Sequence, residues 1–466
     1  MKNAVKIISL VVTLVMLVTV LTACAVRKPE TEPVTPAEDV EEKREEPREE
    51  PREPVHLIMW GGVPPEFGPQ AAVDAFNKEF EDRGITVEYV RFVNDASGNL
   101  KLETTLMAGH EIDIYVTYSA TALRKRAEGG MALDLTELLK RDGLDVMEMF
   151  GEMAIPTIIN ERSYAIPSAR SNVHGLILNK NMFEEAGIPI PTSWTFDEFR
   201  EIAKRLTKGD GPDKVYGFFG NSGQAIAFPG AWVAASLGSD SSFKPGTNFT
   251  ETQFTHPVFE KAYTTATEMM LEDKTAVSHE TAISQKLTIE SMFYAGRAAI
   301  SVGPWTLRNI IDKERFPVDF EIALAPIPVM DTSATYYTPI SPGDMISINP
   351  RSRNIDEAWE FIKWYIDTGI LQLAKFGRLP GYVGFNVDDV ARPFLEATHG
   401  LVDETSFKSV MIAPPKALAL TTFISPPEMT VIVEEEIEAM FLGRKSVREA
   451  LEAMKTRSDE LLRKGR

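Results

Sequence analysis

From Val55 onward, short apolar runs alternate with segments in which apolar residues recur at helical spacing, and that alternation restricts the chain to layered α/β architectures. Val55-His56-Leu57-Ile58-Met59-Trp60 reads as a buried strand that stops at Gly61-Gly62 and a proline-rich turn. Val73, Phe76 and Phe80 then follow on one helical face, and Ile85 to Val93 returns to a β-branched and aromatic strand pattern. A helix-like stretch from Leu100 to Ala108 leads into Ile112-Asp113-Ile114-Tyr115-Val116. This β-α-β-α-β order predicts a mainly parallel sheet with helices on both faces. Farther on, Ser163 to Pro167 and Leu176 to Asn179 read as strands. Thr195-Phe196-Asp197-Glu198 has the spacing of a capping box, followed by the apolar face Phe196, Phe199, Ala203 and Leu206. Helices dominate after Ser347, with Ile355, Trp359, Ile362 and Ile366 on one stripe and further helices at Val431 to Phe441 and Val447 to Leu462. There is no short internal repeat.

Ahead of this region the chain is a different material. Lys2 and Lys6 precede a mostly apolar stretch from Ile7 to Leu21 that ends in Leu21-Thr22-Ala23-Cys24, the grammar of a secretion signal closed by a lipobox. Residues 1–23 are expected to be cleaved as a signal peptide and Cys24 to be lipidated, anchoring the protein on the outer side of the cytoplasmic membrane. An uncleaved anchor helix is the alternative, and it too places the rest outside the cytoplasm. Residues 24–54 carry six prolines in a charged run with almost nothing apolar to bury, so they read as a disordered tether reaching about 90 Å at about 3.1 Å per residue.

Cys24 is the single cysteine, so no internal disulfide is available and core burial alone must hold the fold. The roughly 410 residues from Val55 are too many for one compact core and call for about two domains. A formal net charge of -19 disfavours nucleic acid as a partner. Catalytic signatures are missing: there is no Gly-x-Ser-x-Gly, no P-loop, and His279-Glu280 lacks the second histidine of a zincin. The six histidines form no metal-ligand spacing, and Gly209-Asp210-Gly211-Pro212-Asp213 reads as a turn rather than a calcium loop. No cofactor, metal or catalytic residue is expected.

The order and spacing of several segments carry a more specific signal: Met59-Trp60-Gly61-Gly62, Glu111-Ile112-Asp113-Ile114, Tyr164-Ala165-Ile166-Pro167, Asn179-Lys180-Asn181-Met182-Phe183, Thr192-Ser193-Trp194-Thr195, Phe293-Tyr294-Ala295-Gly296-Arg297, Gly303-Pro304-Trp305 and Ala325-Pro326-Ile327-Pro328. With these the chain resembles the extracellular solute-binding proteins of carbohydrate ABC transporters, the maltose-binding-protein-like family. The resemblance implies a periplasmic-binding-protein-like α/β fold: two lobes joined by hinge crossovers, a sugar or oligosaccharide in the cleft, ABC permease subunits as partners, and a monomer. By that analogy the first lobe takes residues 55–170 plus 343–395 and the second 173–338 plus 396–466. Hinges then fall near Ser171-Asn172, Pro339 to Pro342 and Arg392 to Glu396.

A sugar offers flat C-H faces for aromatic rings and hydroxyls that need donors and acceptors once water leaves. Trp305 is the first candidate, since the family presents a stacking indole at Gly303-Pro304-Trp305. Trp60 ends the first strand at a Gly-Gly turn, and Trp232 and Phe228 flank Pro229-Gly230; for each of these the alternative is core packing. Trp194, Trp359 and Trp364 sit on capping or helical-stripe positions and read as structural. Asn172, with Arg170 beside it, stands where the chain first crosses between lobes. Thr117, Tyr118 and Ser119 end the Asp113 strand as hydroxyl partners, Asp344 follows the hinge as an acceptor, and Tyr382 in Leu379-Pro380-Gly381-Tyr382 is a further contact. A solute-sensing lipoprotein, a binder of a polyol, polyamine or sugar phosphate, and an exported polysaccharide-processing enzyme remain as alternatives.

Overall fold

The computed structural model describes residues 53–109, 112–171, 175–220, 228–413, 416–423 and 425–464. Expectations about the signal, Cys24 and most of the tether fall outside these, as do those for Asn172 and the side chain of Phe228. Among the described residues no helix is long and apolar enough to cross a membrane, and no group of His, Cys, Asp and Glu is placed to hold a metal ion.

Two sheets form the frame. Strands β1 (Val55–Gly61), β2 (Ile85–Arg91), β3 (Ile114–Thr117), a small β4–β5 hairpin (Ile158–Ile159, Arg162–Ser163) and β6 (Ile166–Arg170) belong to the first lobe. The second contains β7 (Gly175–Asn179), β8 (Tyr216–Phe219), β9 (Ala298–Val302) and β10 (Ile322–Pro326), after which β11 (Pro342–Ile348) returns to the first. The orders are β2-β1-β3-β11-β6 and β10-β7-β9-β8. Central strands β3 and β7 are buried along their whole length, as near-continuous apolar runs require when helices cover both faces.

The sheets are mixed rather than mainly parallel. β2-β1-β3 and β8-β9 pair parallel, but β11 runs antiparallel to β3 and β6, and β7 runs antiparallel to β9 and β10. The reason is topological: β7 and β11 each enter their sheet from the other lobe, through the cleft edge, and so run against strands that end there.

Local signals held where they were strongest. Thr195 and Glu198 close the capping box of the helix Phe196–Leu206, whose Phe196, Phe199, Ala203 and Leu206 are all buried. The helix Ile355–Trp364 buries Trp359 and Ile362 in the first core. Trp194, Trp359 and Trp364 are structural, each indole N–H donating across the fold: to the Pro326 carbonyl (2.7 Å), the Asp142 carboxylate (2.9 Å) and Glu79 (2.8 Å).

Asp142 also accepts from Lys363 (2.6 Å) and Arg141 (3.0 Å). Lys363 first, then Arg141 and Trp359, hold its carboxyl well below the ordinary 3.8. A depressed carboxyl stabilises above its unfolded pKa, and that contribution is lost as pH falls through the folded one. Asp142→Asn should therefore cost about 1 kcal/mol at neutral pH, after screening at this partly exposed site. In chemical denaturation at several pH values, the gap from the parent should close as pH drops below 3.8.

The crossovers lie side by side. β6 ends at Arg170 and β7 begins at Gly175, while Ser341 leads into β11. Ser171 N–H donates to the Ser341 carbonyl (2.8 Å), and Ser341 N–H to Ser171 Oγ (3.1 Å). The third passage differs from expectation. Arg392 to Glu396 sits inside the helix Val387–Ala397, whose Val390, Ala391 and Phe394 join Ile322 and Leu324 of β10 in one apolar cluster. The chain crosses earlier, through Leu379–Phe385, where Gly381 N–H still donates to Ser168 in β6 (2.9 Å). That helix packs on Ala374 and Leu379 of the preceding segment as well as on β10 and on Met411 and Ile412.

Candidate functional site

Parallel strands place loops for ligands beyond their carboxyl ends. In the first lobe these ends are Gly61, Arg91 and Thr117; in the second they are Phe219 and Val302. Gly61 and Gly62 let the chain turn against Tyr89 and Tyr118: a Cβ on Gly61 would lie 2.5 Å from Tyr89 Oη, and one on Gly62 2.9 Å from the Tyr118 ring. Beyond β9, Gly303 adopts φ +115° and opens the 3-10 turn Pro304–Ile311. Arg308 on this turn reaches the first lobe, its guanidinium 5.5 Å from the Phe67 ring centre, so the two carboxyl edges face each other.

Between the lobes, at the hinge, lies a cavity of about 630 Å3, within the range of small-molecule sites. The first lobe contributes Phe150 and Glu152, the second Leu237, Gly238 and Tyr337, and the crossovers Arg170, Ile340 and Tyr382. Tyr382 is held edge-on between Phe150 (6.2 Å) and Phe385 (5.5 Å). Gly238, at φ +86°, allows the Tyr337 ring to lie against the backbone, 3.1 Å from where a Cβ would stand. Rings from both lobes with a few polar groups among them suit an amphipathic, ring-shaped guest. Two other hollows, of about 760 and 800 Å3, lie behind the hinge and on the first lobe, and neither takes rings from both lobes.

Of the residues expected at the site, Tyr382 lines this cavity. Trp305 stands on the facing carboxyl edge, half-buried against the apolar cluster around Phe293 and Leu307. The other described ones are placed elsewhere. Trp232 is fully buried in the second core, stacked on Phe196 (5.4 Å) and edge-on to Phe199 (5.1 Å), which corrects its assignment to the cleft. Trp60 packs on the cluster of Phe92 and Leu102 under Lys101 (5.6 Å), on the outer face of the first sheet. Thr117 is fully buried and accepts from Arg126 Nη1 (2.7 Å).

Tyr118 and Asp344 are spent on architecture. Tyr118 Oη accepts from Gly62 N–H (2.6 Å), and its ring lies 5.8 Å from the Arg378 guanidinium. Arg378 in turn donates to both oxygens of Asp344, through Nε at 2.7 Å and through Nη2. Asp344, 3% exposed, is therefore the counter-ion of Arg378 and not a free acceptor. The alternation pattern cannot show this, since the two residues stand 34 apart in the chain and meet only when the first lobe folds.

Phe150, Tyr337, Phe385 and Lys416 were not anticipated. Phe150 and Tyr337 each sit beside a signal that was readable, Gly151 and Pro339, but these look like ordinary turns until the lobes meet.

Two α/β lobes, three adjacent crossovers and an interlobe cavity define a periplasmic-binding-protein-like fold. Solved structures match it: a sugar transporter from Rhizobium etli in an open conformation (TM-score 0.70, 18% identity, 86% of this chain and 98% of that one). A cyclic alpha-maltosyl-1,6-maltose binding protein from Arthrobacter globiformis (0.66, 19%, 88% and 100%) and a substrate-binding protein from Listeria monocytogenes in complex with cycloalternan (0.63, 20%, 89% and 99%) share it as well. The chain belongs to the bacterial extracellular solute-binding protein family, whose sequence profile matches residues 65–370. It is thus a binding protein and not an enzyme. The maltotriose-binding protein of Pyrococcus abyssi is 26% identical over 272 residues, 57% of this chain. The chain spans about half the length of that relative, 52%.

Proposed function

We propose that this protein reversibly binds a sugar or oligosaccharide in the interlobe cavity and delivers it to the permease of an ABC importer. The observation that carries the reading is the presence of aromatic rings from the two lobes, Phe150 and Tyr337, with Tyr382 of the crossover beside Phe150, around one cavity at the hinge. Closure of such lobes buries the guest. Similarity to a maltotriose-binding protein supports a saccharide as cargo. Tyr382 and Trp305 are the proposed stacking contacts, with Asn172 and Phe228 as further candidates. The first lobe is assigned residues 55–170 and 343 to about 380, the second 175–338 and about 387 onward. Lipidated Cys24 and the tether of residues 24–54 would hold a monomer at the outer face of the cytoplasmic membrane, where a permease is reached. A solute sensor uses the same closure; co-purification with permease subunits separates transport from signalling.

Titration with mono- and oligosaccharides, followed by intrinsic tryptophan fluorescence and small-angle scattering, tests this. A bound sugar should quench or shift the emission and compact the particle. Tyr382→Ala should weaken binding by about 1 kcal/mol, about fivefold, if the ring packs on the sugar. Unchanged affinity would remove Tyr382 from the contact set, and no response to any saccharide would end the sugar reading.

A further inference from the structure

Arg170 is the last residue of β6, and its side chain lines both the interlobe cavity and the hollow behind the hinge. Its guanidinium donates through Nη2 to the carbonyls of Met411 and Ile412, each at 2.7 Å. Its Nε is shut away from solvent with no hydrogen-bond partner among the described residues. Among the described residues no carboxylate sits close enough to pair with it, and burial alone pulls its pKa down, to about 10.

Two more deeply buried arginines have carboxylate partners, whereas Arg308, on the turn after β9, is part-buried without one among the described residues. Arg126, 0% exposed, has Glu103 at 3.4 Å, and Arg378 has Asp344. Removing a guanidinium from water without a counter-ion costs several kcal/mol, and two neutral carbonyls offset only part of that. A second cation, Lys416, borders the same two hollows. Against them the interlobe cavity presents one carboxylate, Glu152, which is exposed and solvated. The cavity wall is thus cationic in a chain of net charge -19. The hydroxyls of a neutral saccharide would accept from these cations without neutralising them, whereas an anionic substituent would take stronger, charge-assisted bonds and balance the charge.

We infer that the cargo is a saccharide carrying an anionic group, anchored by Arg170 and Lys416. The inference rests on the sugar reading and narrows it. The shared chemistry is an anionic oxygen pair on a sugar ring, from a uronate carboxylate or a phosphate ester.

Calorimetric titration of the full chain with three probes tests it: a neutral disaccharide, its glucuronate counterpart and its 6-phosphate. One anionic member should bind at least about tenfold tighter than the neutral one, and which member does so identifies the anion. In Arg170→Gln this preference should collapse to within about twofold. Because loss of the bonds to Met411 and Ile412 could unsettle that variant, Lys416→Gln, at an exposed position, provides a second reading. There the preference should shrink by several-fold, and it should shrink again in the parent when salt is raised. Equal binding of neutral and anionic probes would overturn the inference and leave the sugar reading intact. Failure of all three to bind, together with every neutral saccharide of the wider panel, would overturn both. A preference that survives both substitutions would overturn Arg170 and Lys416 as the anchors.

Discussion

Asp344→Ala should lower unfolding stability by about 3–5 kcal/mol, because it leaves the Arg378 cation packed against Tyr118 without its counter-ion. Asp344 is 3% exposed and gives both oxygens to Arg378, and burial already pulls the arginine's pKa below its usual value. Taking away one half of a buried pair is far more costly than replacing both halves by apolar groups of similar volume. The double variant Asp344→Leu, Arg378→Met should therefore recover much of the loss, and a double-mutant cycle in denaturant measures the coupling. If Asp344→Ala instead left stability within about 1 kcal/mol and abolished sugar binding, the residue would be the ligand acceptor that its place after the hinge first suggested.

Trp232→Ala should cost about 3–5 kcal/mol as well, by a different route: the loss of a large buried side chain and the opening of a cavity between Phe196 and Phe199. The indole has no exposed surface, so its removal should shift the denaturation midpoint while saccharide affinity, measured where the variant is folded, stays close to the parent's. An affinity loss without a stability loss would return Trp232 to the ligand. The pair Trp232 and Tyr382 thus forms a control, one ring tuned to the core and the other to the cavity.

Much of the fold is legible in the sequence. Strand β1, the capping box at Thr195 and Glu198, the stripe through Trp359 and Ile362, and the structural roles of Trp194, Trp359 and Trp364 all follow from spacing within a few residues. Strand direction was less so. Nothing within β7 or β11 says that it will enter its sheet from the opposite lobe, and the parallel expectation failed at those strands. Leu379–Phe385 carries Pro380, Gly381 and Gly384, a readable turn, but nothing in a turn says whether the chain changes lobes there or at Arg392 to Glu396, inside the helix Val387–Ala397.

The site was legible in kind and poorly in detail. A tryptophan beside a glycine or proline turn has the same local signature whether it ends in the core, as Trp232 does, or on the facing edge, as Trp305 does. A carboxylate after a hinge reads as a free acceptor until Arg378, 34 residues on, claims it. Arg170 was noticed for its position at the crossing, but its lack of a carboxylate partner is a property of everything packed around it.

What the sequence determined by itself is the set of elements: where strands and helices begin, which faces are apolar, that no disulfide staples them, and that two cores are needed. Those follow from side-chain spacing, which acts over one or two turns of chain. Only the tertiary structure decided which polar groups are consumed and which stay available, since Arg170 meets Met411 and Ile412 across more than two hundred residues. The free energy of a buried charge depends on what surrounds it in space, and spacing along the chain carries no record of that.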